Sequence, residues 1–85
     1  MPKHNIPVYA IVELLMLLAQ QDTSIGDYRG HTIRNNQVLV KTTGGSITFS
    51  ETLIMKQFSE PENITKIDLM NALSLYKPTR FRRSA

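Results

Sequence analysis

The chain opens with a long apolar segment whose few polar positions recur at a helical spacing. The polar strip, interrupted by Met16, consists of Asn5, Tyr9, Glu13 and Gln20. This period predicts a helix from about residue 5 to Gln21. Its apolar side is wider than the stripe of about 100° on an ordinary surface helix. Either the rest of the chain wraps this helix on two sides, or one side meets another chain.

The breadth of this apolar side favours association with a second copy. A chain of 85 residues has little material with which to wrap a helix on both sides. We therefore expect a homodimer through the first helix. The residues expected at this oligomer interface are Ile11, Leu14, Leu15 and Leu18.

The middle of the chain alternates apolar and polar residues around two turn signals. Gly44-Gly45 at the centre of one turn sets Val40 opposite Phe49, and Asn35-Asn36 at the centre of the other sets Ile33 opposite Val38. Both turns place the same five apolar residues on one face: Ile33, Val38, Val40, Ile47 and Phe49. The opposite, solvent-side face carries Arg34, Gln37, Lys41 and Thr48, with Leu39 as an apolar exception.

Two helices are predicted after the strands. Ser50 can cap a short helix over residues 51–59, although a continuation of the third strand competes with it. The last helix is capped by Asn63, or by a capping box of Thr65 and Asp68. Its expected inward stripe is Ile64, Ile67, Met70, Leu73 and Tyr76.

The predicted fold class is therefore α+β. An N-terminal helix precedes a three-stranded antiparallel meander, and two C-terminal helices pack on one sheet face. Residues 1–76 form a single small domain, and residues 77–85 form a basic, flexible tail.

The composition indicates the cellular compartment. The chain has no cysteine, which favours the reducing cytoplasm. The apolar segment is shorter than the roughly 20 residues of a membrane span, and Glu13 lies inside it. The same glutamate argues against a secretory signal. We expect no membrane association.

Candidate chemistry is sparse. The two histidines, His4 and His31, are not joined by other ligands at metal-binding spacing. No serine lies in a nucleophile elbow, and a hairpin explains the paired glycines. We expect no enzymatic activity, no catalytic residue, no metal, no cofactor and no small-molecule substrate.

The charge is concentrated at the C-terminal end. Residues 1–76 sum to −1, so the formal net charge of +3 comes from the segment after Tyr76. This segment contains Lys77, Arg80, Arg82 and Arg83 around Phe81. The cations can neutralise phosphates, and the ring can stack on a base. Three further basic residues can extend the surface: Arg29, Arg34 and Lys41.

Two functions remain open. The first is a small regulatory protein that binds nucleic acid through the tail and the surface Arg and Lys residues, as a homodimer. A helix-turn-helix is disfavoured as the nucleic-acid-binding element, because Glu60 and Glu62 would lie close to phosphates. The alternative is a protein-interaction module, an adaptor or inhibitor that uses the apolar first helix or an open sheet edge.

Overall fold

The computed structural model of the chain describes residues 6–76. These residues form α1 (Val8–Ala19), β1 (Tyr28–Arg34), β2 (Gln37–Thr42), β3 (Gly45–Ser50), α2 (Glu51–Ser59) and α3 (Lys66–Ser74). Short 3₁₀ helices at Thr23–Ile25 and Pro61–Asn63 connect them. The sheet is an antiparallel meander in the order β1-β2-β3, and the helices pack on one of its faces. The predicted α+β architecture of helix, three strands and two helices is confirmed.

The first hairpin has the predicted register. Ile33 pairs with Val38, and Asn35 and Asn36 both adopt positive φ, at 51° and 67°. Two consecutive positive φ angles are the signature of the turn whose twist matches that of antiparallel strands. Asparagine tolerates this conformation better than other residues with a side chain, which explains why the two asparagines lie there.

The register of the second hairpin was predicted wrongly by two residues. Val40 pairs with Ile47 rather than with Phe49, because the turn is centred on Thr43-Gly44 instead of Gly44-Gly45. A shift of two residues returns every side chain to the same face. The expected apolar face is therefore present, with Val38, Val40, Ile47 and Phe49 buried and Ile33 partly buried.

The first helix is wrapped by its own chain. It packs against both α2 and α3, so its wide apolar side is covered within one copy. Four residues were expected at an oligomer interface, and all are at most 3% exposed: Ile11, Leu14, Leu15 and Leu18. As interface residues they were predicted wrongly, because they belong to the core of the monomer.

Both C-terminal helices begin at polar caps. The Ser50 hydroxyl accepts a hydrogen bond from the Leu53 N–H at 3.1 Å, which starts α2 and excludes the longer third strand. Thr65 and Asp68 form the capping box of α3, so this helix begins at Lys66. The inward stripe expected on α3 was partly wrong. Leu69 and Ala72 are buried, whereas Ile67 and Met70 are 69% and 51% exposed.

Candidate functional site

The sheet face opposite the helices is open. A shallow depression of about 370 Å³ crosses it. It is lined by Thr32, Arg34, Gln37, Leu39, Lys41 and Thr48. Thr32, Leu39 and Thr48 form one row across the three strands, because Leu39 pairs with both threonines. We call this surface the open face.

Arg34 and Lys41 are brought together on the open face, as the alternation of the strands predicts. Arg34 pairs with Gln37, and Lys41 follows four residues further along β2. At a rise of roughly 3.3 Å per residue, the two positions are about 13 Å apart along the sheet. Both side chains are exposed. Two separated cations on one accessible surface can contact two different phosphates of one chain.

Charge separates between the sheet and the helical layer. Residues 28–50 contain three basic residues and no acid, whereas all seven acids of the chain lie outside this range. The nearest two acids in sequence, Asp27 and Glu51, immediately flank it. The sheet is therefore positive and the remaining described residues carry net negative charge. The net charge of −1 over residues 1–76 does not reveal this separation.

Arg29 lies at an irregular position of β1, next to Gly30, which pairs with Lys41. The register of β1 and β2 shifts between Tyr28 and Gly30, so Arg29 occupies a β-bulge at the edge of the sheet. Gly30 next to it has φ of 137°, a conformation that favours glycine. Arg29 is exposed, at the margin of the open face. The other candidates, Lys77, Arg80, Phe81, Arg82 and Arg83, lie outside the described residues.

Among residues 6–76, no aromatic side chain lines the depression on the open face. Base stacking normally uses exposed aromatic rings, so this surface suits contacts to phosphates and sugars rather than to stacked bases. His31 belongs to the opposite, core-facing side of β1. Its Nδ1 lies 2.7 Å from the Tyr28 hydroxyl, which gives this half-buried ring a structural partner.

A second surface lies along α1 and α2. The Tyr9 and Phe58 rings pack with centroids 5.7 Å apart while remaining about half exposed. Beneath them, the buried Gln57 donates from Nε2 to Glu13 Oε1 at 2.7 Å. The other amide atom, Gln57 Oε1, is buried and has no hydrogen-bond partner among residues 6–76. Sequence reasoning missed this pair, because Glu13 and Gln57 are 44 residues apart.

Within residues 6–76, no group of three or more His, Asp or Glu side chains is arranged to hold a metal ion. None of the helices in this range is long and apolar enough to cross a membrane. Comparisons with known protein families, with curated proteins and with solved structures found no match.

Proposed function

We propose that the chain is a small, non-enzymatic regulatory protein that binds nucleic acid through the open face and the basic segment 77–85. The observation that carries this proposal is the acid-free sheet, whose open face presents Arg34 and Lys41. Cations without neighbouring acids on an accessible surface attract phosphate chains and release their counterions. The cytoplasm is the proposed location, because the chain lacks cysteine.

The contacts are expected to go to the nucleic-acid backbone. An arginine can hold a phosphate by two parallel hydrogen bonds, whereas a lysine acts as a mobile point charge. The hydroxyl and amide groups beside them, on Thr32, Thr48 and Gln37, can donate to phosphate or sugar oxygens. Such contacts provide affinity and orientation with little selection for base sequence.

The experiment compares two double variants that lose the same charge. Arg34→Gln/Lys41→Gln removes the cations of the open face, and Lys56→Gln/Lys66→Gln removes two cations of the helical layer. Binding of fluorescent duplex and single-stranded DNA and RNA is followed by anisotropy at about 50–200 mM salt, where multi-phosphate contacts weaken strongly. For duplex DNA, each phosphate contact contributes about 0.9 to the magnitude of the slope of log K against log salt. The open-face variant loses two such contacts, so the magnitude of its slope should fall by about 1.8.

The control variant should change that slope much less. Equal losses in the two double variants would contradict a role for the open face and would leave only a general charge effect. A chain that ends at Tyr76 tests the basic segment separately. If it binds as tightly as the full chain, segment 77–85 takes no part in binding.

A second candidate function is a protein-interaction module. The exposed Tyr9–Phe58 ring pair favours it, because aromatic side chains are enriched at interface centres. Phe58→Asp would then abolish capture of a protein partner, and Leu39→Asp on the open face would not. Unimpaired capture by the Phe58 variant would exclude the ring pair as the contact.

A further inference from the structure

In the described part of the chain, the outer edge of β3 presents backbone groups without hydrogen-bond partners. Thr42 and Gly45 flank the two-residue turn at Thr43-Gly44 and form the first hydrogen-bonded pair of this hairpin. Every second residue pair of β2 and β3 after it is therefore also hydrogen-bonded. Ile47 and Phe49 bond to β2, and Ser46 and Thr48 direct their N–H and C=O groups away from it. The N–H of Ser50 points the same way. Within residues 6–76, no hydrogen bond satisfies these outward groups of Ser46 and Thr48.

The β1 edge of the sheet is protected against strand addition, whereas the β3 edge is not. β1 has the bulge at Arg29, and its edge carries the charges of Arg29 and Arg34. Bulges and charges are the usual means of preventing strand addition at an edge. β3 has a regular register with β2 and contains neither a charged residue nor a proline. Strand addition is therefore favoured at β3.

Apolar residues of α3 lie beside the same edge. A groove of about 240 Å³ runs between them, with Thr48 and Ser50 on one wall and Asn71 and Leu75 on the other. One side of the helix carries Ile67 and Asn71 and, just after Ser74 at its C-terminal end, Leu75; these residues follow each other at intervals of four. Ile67 is 69% exposed and Leu75 is 50% exposed. An edge flanked by uncovered apolar side chains is typical of a protein-protein contact.

We propose that the occupant of this edge is a second copy of the chain, paired antiparallel through β3 about a two-fold axis at Thr48. This register sets Thr48 opposite Thr48 of the partner copy and Ser46 opposite the partner's Ser50. Thr48 exchanges two backbone hydrogen bonds across the axis, and each Ser50 N–H reaches a Ser46 carbonyl. The strand is complementary to itself in this register.

The side chains favour the same pairing. Threonine opposite threonine, and serine opposite serine, are favourable cross-strand pairs, and no like charges meet. Strand pairing also brings the two α3 helices towards each other, where Ile67 and Leu75 lose contact with water. The exposure of Ile67 in one copy, where the sequence pattern predicted an inward position, is thereby explained.

Pairing through β3 would produce one six-stranded sheet with a continuous open face. This consequence for nucleic-acid binding rests on the proposed function, whereas the pairing itself does not. The oligomeric state is therefore measured without nucleic acid, by sedimentation equilibrium over a concentration series. Loss of the dimer and loss of nucleic-acid binding can then be distinguished.

The decisive comparison uses two threonines from the same row of the open face. Thr48→Lys places two like charges opposite each other at the two-fold axis, and Thr32→Lys adds the same charge at the far edge. We expect Thr48→Lys to raise the dimer dissociation constant at least about fivefold, and Thr32→Lys to leave it nearly unchanged. Both threonines line the open face and are proposed to contact phosphate or sugar oxygens, so the two variants are compared only by their dimerisation without nucleic acid.

A second pair tests the α3 stripe at two exposed positions that tolerate change. Ile67→Glu should weaken the dimer at least about tenfold, because it replaces an apolar side chain that the dimer buries. Met16→Glu, 62% exposed on α1, serves as its control. Far-UV circular dichroism verifies that each variant is folded. A monomeric wild type at the highest concentration, or equal dimerisation of Thr48→Lys and Thr32→Lys, would overturn the proposal and leave the edge to a foreign peptide.

Discussion

The Tyr76 hydroxyl donates a hydrogen bond to the carbonyl oxygen of Gly44 at 2.7 Å, across 32 residues of sequence. The Ser24 carbonyl oxygen lies 3.1 Å from the same hydroxyl. Tyr76 thus joins the end of the last helix to the second hairpin turn and to the loop after α1. Further bonds hold the same junction, from the Gly44 N–H to the Ile25 carbonyl and from the Thr43 N–H to the Asp27 carbonyl.

Removal of the Tyr76 hydroxyl should weaken this junction without disturbing the core. Tyr76→Phe leaves carbonyl groups without their donor, so we expect the free energy of unfolding to fall by about 0.5–1.5 kcal/mol. Urea denaturation measures the change. Tyr9→Phe is the matched control, since the Tyr9 ring is 56% exposed. A loss of the same size in both variants would show that the hydrogen bond at Tyr76 contributes nothing specific.

Gly44 has no room for a side chain. A Cβ atom there would lie 1.9 Å from the Ser24 carbonyl oxygen and 2.7 Å from that of Ile25. Its φ is not positive, so the steric contact alone decides the outcome. Gly44→Ala should cost about 1–3 kcal/mol, as overpacking does elsewhere. Ser46→Ala on the same hairpin should change stability by less than about 0.5 kcal/mol, and thermal unfolding of both variants would reveal the difference.

Gln57→Glu should make stability depend on pH. The new carboxyl would be buried beside Glu13, and both burial and the like charge raise its pKa. A pKa raised by folding favours the folded state only while the group is protonated, so stability falls as pH rises through neutrality. Urea denaturation at about pH 4 and pH 7, on either side of a raised carboxyl pKa, should show the larger loss at pH 7. Gln37→Glu, at an exposed position, should show no such difference.

The capping box of α3 should lose its electrostatic contribution in acid. The hydrogen bond from the Thr65 backbone N–H, supported by the Thr65 side chain and by Lys56 Nζ at 3.8 Å, lowers the pKa of Asp68. A lowered pKa stabilises the fold at pH values above the ordinary carboxyl pKa of about 4. This stabilisation is lost as the pH falls through the pKa of the folded state. Asp68→Asn should therefore reduce stability by about 0.3–1 kcal/mol at pH 7.

Comparison with the wild type in acid tests that assignment. In acid, at a pH below the lowered pKa of Asp68, the two proteins should unfold at nearly the same urea concentration. Glu62→Gln provides a control at an exposed acid outside α3. A difference that persists unchanged in acid would attribute the effect of Asp68→Asn to hydrogen-bond geometry instead of charge.

Most of the fold could be predicted because contacts between residues close in sequence determine it. The two asparagines of the first turn, the hydroxyl of Ser50 and the Thr65–Asp68 pair each determine one boundary through contacts within a few residues. The turn at Gly44 was predicted wrongly because a distant partner decides it. Only glycine fits at position 44, beside the carbonyl groups of Ser24 and Ile25. The turn therefore moves by one residue, the register shifts by two, and Gly45 takes the positive φ of 147°.

The surface was harder to predict than the core. The pattern of α1 shows which of its residues are apolar but not that α2 and α3 cover them, so Leu14 and Leu18 were assigned to an interface. The pattern of α3 placed Ile67 and Met70 inwards, whereas Leu69 and Ala72 are the residues that the helix buries. For the open face, alternation along the strands correctly placed Arg34 and Lys41 together. The separation of charge between the layers appeared only once the strand bounds were known.

The bulge at Arg29 has a consequence for how far assembly can proceed. A sheet with two receptive edges can add copies without limit and grow into a fibre. Here one edge is irregular and charged, and the proposed dimer would occupy the other. Growth would then end at two copies, so the proposed strand addition would not lead to the polymerisation that this mode of contact usually brings.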